Sequence, residues 1–283
     1  MKAAPQWLAV SAAVVVVVLA AVASALFASG SGGAAADAGG PGGHGAGVVG
    51  GAAGAGGSGG SDGKGDSGGG TPPTPTHPAV DPVPDSIVHA SDKPGQAVNI
   101  TIDDGPDPQW TPRVLQVLKQ HHVHATFCMI GPQAAAHPEL VKRVVAEGHR
   151  LCDHTVHHDT TMDHKPFAYQ QSEIMDALAM IEKASGGARV YYYRAPGGAF
   201  TPPSRALAAQ HGMRPLGWNV DTKDFDRPGV PAIMDTLKDE IHNGPTILFH
   251  DGGGDRAQTV QALDQSLTWL KGQGYAFGFP RVR

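Results

Sequence analysis

From residue 97 onward, short apolar runs alternate with stretches that place apolar residues every three or four positions. The runs are typical of buried strands and the stretches of amphipathic helices. Their alternation predicts an α/β domain with parallel strands and helical crossovers, either a (β/α) barrel or an open doubly wound sheet. The predicted strands are Val98–Ile102, Ala125–Ile130, Arg150–Cys152, Val190–Tyr193, one or two short strands within Arg214–Val220, and Thr246–Phe249. The predicted helices are Arg113–Gln120, Pro138–Glu147, Phe167–Ala184, Pro203–Gln210, Ala232–His242 and Ala257–Lys271.

Residues 28–80 lack this alternation of apolar runs and amphipathic stretches. They consist mainly of Gly, Ala and Ser, followed by Pro and Thr. Such a segment has almost no large apolar side chains to bury, so it is predicted to be a disordered linker. Its end, Thr71–Thr76, is rich in Pro and stiffer. The remaining 81–283, roughly 200 residues, suits one folded domain.

The N-terminus carries an uninterrupted apolar run, Trp7–Phe27, preceded by the single charged side chain of Lys2. About 20 apolar residues can span a bilayer, so residues 1–27 are predicted to be an uncleaved membrane anchor or a signal peptide. Ala23-Ser24-Ala25 fits the small-residue pattern before a cleavage site. Both alternatives place the folded domain outside the cytoplasm, secreted or anchored to the membrane.

The net charge bears on which partners the protein can bind, and the two cysteines bear on whether it contains a disulfide. The formal net charge of −5 and the lack of a basic run argue against nucleic acid as a partner. A neutral or wall-bound polymer remains compatible. Cys128 and Cys152 both fall in predicted central strands; an exported protein could pair them, but buried structural thiols are the favoured interpretation.

Chemically active side chains follow two of the predicted strands. Asp103 and Asp104 end the first strand, and His154 and His158 follow the third. Two histidines four residues apart share one face of a helical turn and can grip one ion. Each pair alone is compatible with a turn or a surface loop. Together they predict a metallohydrolase, in which one aspartate and two imidazoles hold the metal and the spare aspartate accepts a proton from water.

Five segments, in order, resemble the motifs of polysaccharide deacetylases, the NodB-homology enzymes of carbohydrate esterase family 4. The segments are Thr101–Pro106, His154–His158, Arg194–Gly198, Asp221–Phe225 and Leu248–His250. The resemblance covers roughly residues 95–283. It implies a distorted (β/α) barrel of seven or eight parallel strands.

The resemblance also implies roles for the residues. Asp104, His154 and His158 would bind the metal, usually zinc, with another divalent metal such as Co²⁺ possible. Asp103 would take the proton of the attacking water as general base. His250 would protonate the leaving amine as general acid. The metal and a backbone N–H in the loop after Arg194 would together hold the oxyanion.

Two further side chains would support this chemistry. Arg194 would orient Asp103, and Asp224 would hold His250 in its protonated form; an ordinary loop ion pair is the alternative for each. The residues implied to contact substrate are Pro196, Gly197, Gly198, Phe225 and Leu248. The family often has an aromatic residue where this chain has Gly197, and usually Trp where it has Phe225. These departures leave the substrate's identity open.

The remaining histidines are interpreted differently. His157 adjoins the predicted ligand His158, but the family pattern gives it no metal role. His121, His122 and His124 are expected to be solvated at the far end of the barrel. His164 follows the metal motif and could line the cleft.

The predicted function is metal-dependent removal of acetyl groups from N-acetylated sugars of a cell-wall or extracellular polysaccharide, with peptidoglycan ahead of chitin oligomers. An O-acetyl esterase acting on a xylan-type polymer is one alternative. A non-catalytic glycan-binding domain is another. The catalytic domain is expected to be monomeric, with membrane contact only through an uncleaved N-terminal segment.

Overall fold

The computed structural model describes residues 80–283. Its strands are β1 (Ala97–Asp103), β2 (Ala125–Met129), β3 (Arg150–Asp153), β4 (Val190–Tyr193), β5 (Arg214–Pro215), β6 (Val220–Asp221), β7 (Thr246–His250) and β8 (Ala276–Gly278). Its helices are α1 (Thr111–Gln120), α2 (Gly131–Ala136), α3 (Pro138–Ala146), α4 (Phe167–Ser185), α5 (Pro202–Gln210), α6 (Val230–Glu240) and α7 (Ala257–Gly272).

The predicted targeting segment 1–27 and all but the last residue of the predicted linker lie outside the described residues. Within 80–283, no helix combines the length and apolarity needed to cross a membrane.

All strand pairs in the sheet are parallel, and the strand order is β5-β4-β3-β2-β1-β7-β6, with β8 paired to the start of β1. β5 and β6 lie at opposite ends of this order, yet only residues 216–219 connect them. A connection this short spans at most about 18 Å from the end of β5 to the start of β6, so the sheet must curl until its two ends approach each other. The predicted distorted (β/α) barrel is confirmed, and the open doubly wound sheet is excluded.

Alternate residues of β1 enter two different environments. Val98, Ile100 and Ile102 belong to the large apolar cluster formed with the helices. Thr101 and Asp103 are equally buried but point to the other face, into the barrel. A strand has a side-chain period of two, so a barrel strand covered by helices can be apolar outside and polar inside. The polar interior prepares a site at the carboxyl ends of the strands.

The predicted elements are present with boundaries shifted by a few residues, and two elements were missed. α2 begins at Gly131, where the Gly-Pro pair had indicated only a strand end; Pro132 in the first turn instead opens a helix. β8 is short and partly exposed, so its pattern was too weak to predict a strand.

The interpretation of Cys128 and Cys152 as free thiols is wrong, because the two form a disulfide. They lie directly opposite each other on β2 and β3, with Cα atoms 4.1 Å apart. Both are buried in a small cluster with Tyr192. Burial on central strands was predicted correctly; the register that brings the two sulfurs together is a tertiary feature that burial alone does not reveal.

Histidines at the amino ends of the strands are only partly solvated, in contrast to the expectation. His122 and His124 are exposed. His121 has a side chain only 14% exposed, and its Nε2 lies 2.7 Å from Oδ1 of Asp264 on α7. The prediction therefore holds for two of the three residues, since the packing of α7 covers the third.

Candidate active site

The carboxyl ends of four strands deliver polar side chains to one cavity. Asp103 ends β1, His154 follows β3, Arg194 follows β4 and His250 ends β7, directly beside Asp103 in the sheet register. The cavity measures about 530 Å³, within the range of small-molecule sites. Its lining consists of Asp103, Asp104, His154, His158, Thr160, Arg194, Ala195, Gly197, Trp218, Asp221, Lys223, Phe225, Leu248 and His250.

Asp104, His154 and His158 each present a ligand atom, and these atoms all lie within 4.8 Å of one another. Asp104 Oδ1 is 3.2 Å from His158 Nε2 and 3.5 Å from His154 Nε2. Although buried, this oxygen has no hydrogen-bond partner within the described residues. One unpartnered carboxylate oxygen between two imidazole nitrogens is a donor set that suits zinc or a similar divalent metal.

Two features prepare His154 as a ligand. Its Nδ1–H donates to the backbone carbonyl of Arg194 at 2.7 Å, which leaves the Nε2 lone pair directed at the cavity. Burial lowers the pKa of His154 to about 3, despite the opposing charge of Asp104. The ring is therefore neutral at neutral pH, which is the form that binds metals.

The two histidines converge through a loop, and the predicted helical turn is wrong. Residues 154–158 lie outside any helix, and Thr155 and His158 have φ angles of 70° and 52°. Positive φ is a genuine outlier for a β-branched residue such as Thr155. The conformation is fixed locally: Thr155 N–H donates to Asp153 Oδ1 at 2.8 Å, and the Thr155 carbonyl accepts from Gly131 N–H at 2.9 Å.

Asp103 and Arg194 form a buried ion pair, as the motif resemblance implied. Arg194 Nη1 lies 2.6 Å from Asp103 Oδ1, and both side chains are almost completely buried. The guanidinium also donates to the backbone carbonyls of Leu216 and Gly217. Asp103 Oδ2 remains 3.5 Å from His154 Nε2. Burial raises the pKa of Asp103, while the charge of Arg194 opposes the rise, so this carboxylate is a stronger base than an exposed aspartate.

Asp224 holds His250 on the opposite side of the cavity. His250 Nδ1 lies 2.7 Å from Asp224 Oδ1, and the His250 backbone N–H donates to Oδ2 at 2.9 Å. Thr259 adds a hydroxyl donor at 2.8 Å. Burial lowers the pKa of His250, but the hydrogen bond and charge of Asp224 outweigh it and raise this pKa to about 9. His250 is therefore protonated at neutral pH and can donate from Nε2.

The predicted substrate-contact residues divide into two groups. Gly197, Phe225 and Leu248 line the cavity. Pro196 is buried and Gly198 faces Trp218, so neither belongs to the lining.

The sequence reasoning missed several lining residues. Trp218 lies between β5 and β6, and the Arg194 guanidinium is 5.6 Å from the centre of its ring. Asp221 and Lys223 belong to the fourth motif but had been given no role; their side chains form an ion pair at 2.6 Å on the cavity rim. Thr160 and Ala195 complete this group. The only sequence feature that could have indicated a role for Trp218 is its position shortly before the fourth motif, Asp221–Phe225.

Two other histidines, one within the metal motif and one that follows it, are absent from the cavity lining. His157 is 72% exposed, and its Nδ1 donates to Glu173 Oε1 at 2.6 Å. His164 is 81% exposed and is not among the lining residues, contrary to the suggestion that it could line the cleft.

Comparison with known proteins agrees with this geometry. A family model described as polysaccharide deacetylase matches residues 90–216. The chain is 38% identical over 185 residues to the peptidoglycan-N-acetylglucosamine deacetylase of Bacillus cereus, covering 64% of this chain and 84% of that protein. The chain belongs to the polysaccharide deacetylase family. A second member, the chitooligosaccharide deacetylase of Bradyrhizobium sp., is 38% identical over 191 residues, covering 64% of this chain and 87% of that protein.

Solved structures place this family member in carbohydrate esterase family 4. A peptidoglycan N-acetylglucosamine deacetylase in complex with 4-naphthalen-1-yl-N-oxidanyl-benzamide matches with a TM-score of 0.62 and 29% identity, covering 68% of this chain and 89% of that one. The family 4 carbohydrate esterase of Streptomyces lividans in complex with acetate matches with a TM-score of 0.59 and 30% identity, covering 67% of this chain and 94% of that one. A family 4 pseudoenzyme from Bacillus anthracis matches with a TM-score of 0.61 and 27% identity, covering 68% of this chain and 66% of that one.

Proposed function

We propose that this chain is a deacetylase that hydrolyses the N-acetyl groups of a cell-wall or extracellular polysaccharide, with peptidoglycan ahead of chitin oligomers. One observation carries the proposal. A basic carboxylate, a protonated histidine and a three-residue ligand group all face one cavity. The names of the two relatives, which act on peptidoglycan and chitooligosaccharide, support this substrate class.

Asp104, His154 and His158 would hold the metal, zinc in the first place or another divalent ion such as Co²⁺. When bound, such an ion polarises a carbonyl oxygen and lowers the pKa of water, which is the Lewis-acid chemistry that amide hydrolysis needs.

The chain's own residues would move the protons. Asp103 Oδ2 accepts a proton from the attacking water, whose oxygen forms a bond to the acetyl carbon, while Arg194 keeps Asp103 Oδ1 fixed. A backbone N–H in the loop after Arg194 would stabilise the oxyanion. As the carbon–nitrogen bond breaks, His250 donates its Nε2 proton to the nitrogen. Acetate and a free amine result, and Asp224 stabilises the protonated imidazole before the transfer.

The wall of the cavity would contact the sugar through Gly197, Phe225 and Leu248, with Trp218 as an additional aromatic surface. The N-terminal segment and linker, as a signal peptide or an anchor, would place this domain outside the cytoplasm near such polymers.

A panel of acetate-release assays tests the proposal on the purified full chain supplied with Zn²⁺ or Co²⁺. The substrates are N-acetylglucosamine oligomers, peptidoglycan and O-acetylated xylan, each also given to Asp103→Asn. We expect release from the N-acetylated glycans, reduced by about 10²–10⁴-fold in the variant, which is the contribution of a general base.

Release from xylan alone would replace the proposal with an O-acetyl esterase. Glycan binding without any acetate release would indicate a non-catalytic domain, an outcome worth testing because a structural neighbour is a pseudoenzyme.

A further inference from the structure

We propose that Glu173 of α4 is a positioning residue for the loop that carries both histidine ligands, an inference that rests on the metal role proposed for His154 and His158. Glu173 is outside the five motifs and outside the cavity lining. It is nevertheless buried, with 3% of its surface exposed, although a carboxylate is costly to bury without compensating donors.

Both oxygens of Glu173 are directed at this loop. Oε2 accepts the backbone N–H groups of Val156 at 3.1 Å and of His157 at 2.8 Å. Oε1 accepts from His157 Nδ1 at 2.6 Å. One helix side chain therefore holds the middle of a segment whose two ends are the predicted ligands.

The loop needs such an acceptor because it has no regular secondary structure. Four successive backbone N–H groups donate to side chains: Thr155 to Asp153 Oδ1, Val156 and His157 to Glu173 Oε2, and His158 to Thr155 Oγ1. Of these three acceptors, Glu173 alone is distant in the chain, because Asp153 ends the strand from which the loop continues and Thr155 belongs to the loop. Glu173 thus anchors the middle of the loop to α4, while the other two acceptors fix its local shape.

The position of His158 depends most on this contact. His154 follows β3 and is secured by the Arg194 carbonyl, whereas His158 has a 34% exposed side chain at a residue with positive φ. Strained backbone persists where surrounding contacts over-determine it. Loss of the Glu173 acceptor should therefore release His158 from its place opposite Asp104.

The experiment compares Co²⁺ binding by the full-length wild type, Glu173→Leu and Glu173→Gln. Titration calorimetry measures the affinity, and the visible absorption of the bound ion reports its coordination. Leu has a similar size but removes the acceptor of two backbone N–H groups and of the His157 ring nitrogen. We expect it to weaken Co²⁺ binding about 10–100-fold, the range for partners that orient metal ligands, and to change the absorption spectrum. Gln keeps one acceptor oxygen, so its loss should be smaller, about threefold to tenfold.

Gln170→Leu is the matched control, because Gln170 lies one turn earlier on α4 and is equally buried. The Gln170 side chain donates to the Lys165 carbonyl and accepts from the Thr201 hydroxyl, so neither of these hydrogen bonds involves the loop. We expect this variant to lose thermal stability while its Co²⁺ affinity stays within about twofold of the wild type, since its lost hydrogen bonds serve packing. His157→Ala removes only the ring contact and should change the affinity less than Glu173→Leu does.

The outcomes separate the two proposals. A wild type that binds neither Co²⁺ nor Zn²⁺ would overturn the proposed metal chemistry and this inference with it. A wild type that binds metal, with Glu173→Leu and Glu173→Gln unchanged in affinity and spectrum, would overturn the role of Glu173 alone. If Glu173→Leu does not fold, the Gln variant decides: wild-type affinity and spectrum would reject the role.

Discussion

The two ends of the barrel both carry histidines beside carboxylates and both border a cavity, yet only one end resembles a catalytic site. At the carboxyl ends of the strands, the cavity contains Asp103, Asp104, His154, His158 and His250. The cavity at the amino ends is lined by Leu118, Lys119, His122, Val123, His124, Glu147 and His149.

The two ends of the barrel differ in what the ring nitrogens of their histidines contact. His154 directs Nδ1 at a backbone carbonyl and keeps Nε2 for the cavity. His149 instead uses Nδ1 to accept the backbone N–H of Ala125 at 3.0 Å, and His121 uses Nε2 for Asp264. Among residues 80–283, the single group of three potential ligands within mutual reach lies at the carboxyl end.

The comparison shows that histidine density is a poor indicator of a metal site. The decisive feature is an unpartnered acceptor, Asp104 Oδ1, near Nε2 of both His158 and His154, of which the second ring is oriented by the Arg194 carbonyl. At the amino end, His149 accepts a backbone N–H and His121 contacts Asp264 of α7, while Lys119 is among the residues that line the cavity.

The largest expected difference between the two ends is in catalysis. Asp104→Asn should reduce acetate release by about 10³-fold or more, because a metal's Lewis-acid contribution is worth several kcal/mol. The double variant His122→Ala/His124→Ala should leave the rate and the bound metal unchanged. For both variants, elemental analysis measures the bound metal and an acetate-release assay measures the rate. A loss of metal in the double variant would mean that the amino end also binds an ion.

The next effect, of similar or smaller size, is expected from His250, the proposed general acid on the far side of the cavity. His250→Ala should slow hydrolysis of an N-acetylated glycan by about 10²–10⁴-fold, the scale of general acid catalysis. An acetate ester with a good leaving group should be slowed much less, since it departs without a proton. Rates on matched amide and ester substrates provide the check. Equal losses on both would assign His250 a role other than proton donation.

The smallest effect concerns stability at the amino end. Burial lowers the pKa of His149 to about 4, with the neighbouring His124 adding to the shift. Between pH 6.5 and 4 the unfolded chain thus binds a proton that the folded chain does not, so folding stability falls as the pH falls through this range. The full shift corresponds to on the order of 3 kcal/mol.

His149→Asn retains an acceptor for the Ala125 N–H but does not titrate. Urea unfolding at pH 7 and pH 4.5 should therefore show a smaller acid-induced loss of stability in this variant than in the wild type. Identical losses in both proteins would show that the charging of His149 does not contribute to acid destabilisation.

Several features of the site followed from local sequence. Asp103, Asp104 and His250 end apolar strands, and parallel strands bring their carboxyl ends to one rim, so their convergence was predictable. The pairing of Arg194 with Asp103 and of Asp224 with His250 followed from the motif resemblance and is present in the geometry.

Other features depend on contacts between segments distant in the chain. The loop between the two proposed ligands, His154 and His158, adopts a non-helical path because Asp153 and Glu173 accept its N–H groups, which the spacing of four residues cannot indicate. Likewise, Trp218 reaches the cavity because the sheet curls until β5 approaches β6.

By itself, the sequence determined most of the strands and helices and the polar residues at the ends of β1, β3, β4 and β7, because side-chain periodicity and turn chemistry are local properties. Only the tertiary structure decided which buried groups meet. Register joined Cys128 to Cys152, closure of the sheet brought Trp218 to the cavity, and packing of α4 placed Glu173 behind the ligand loop. Those pairings depend on distances between segments far apart in the chain, and no local pattern encodes them.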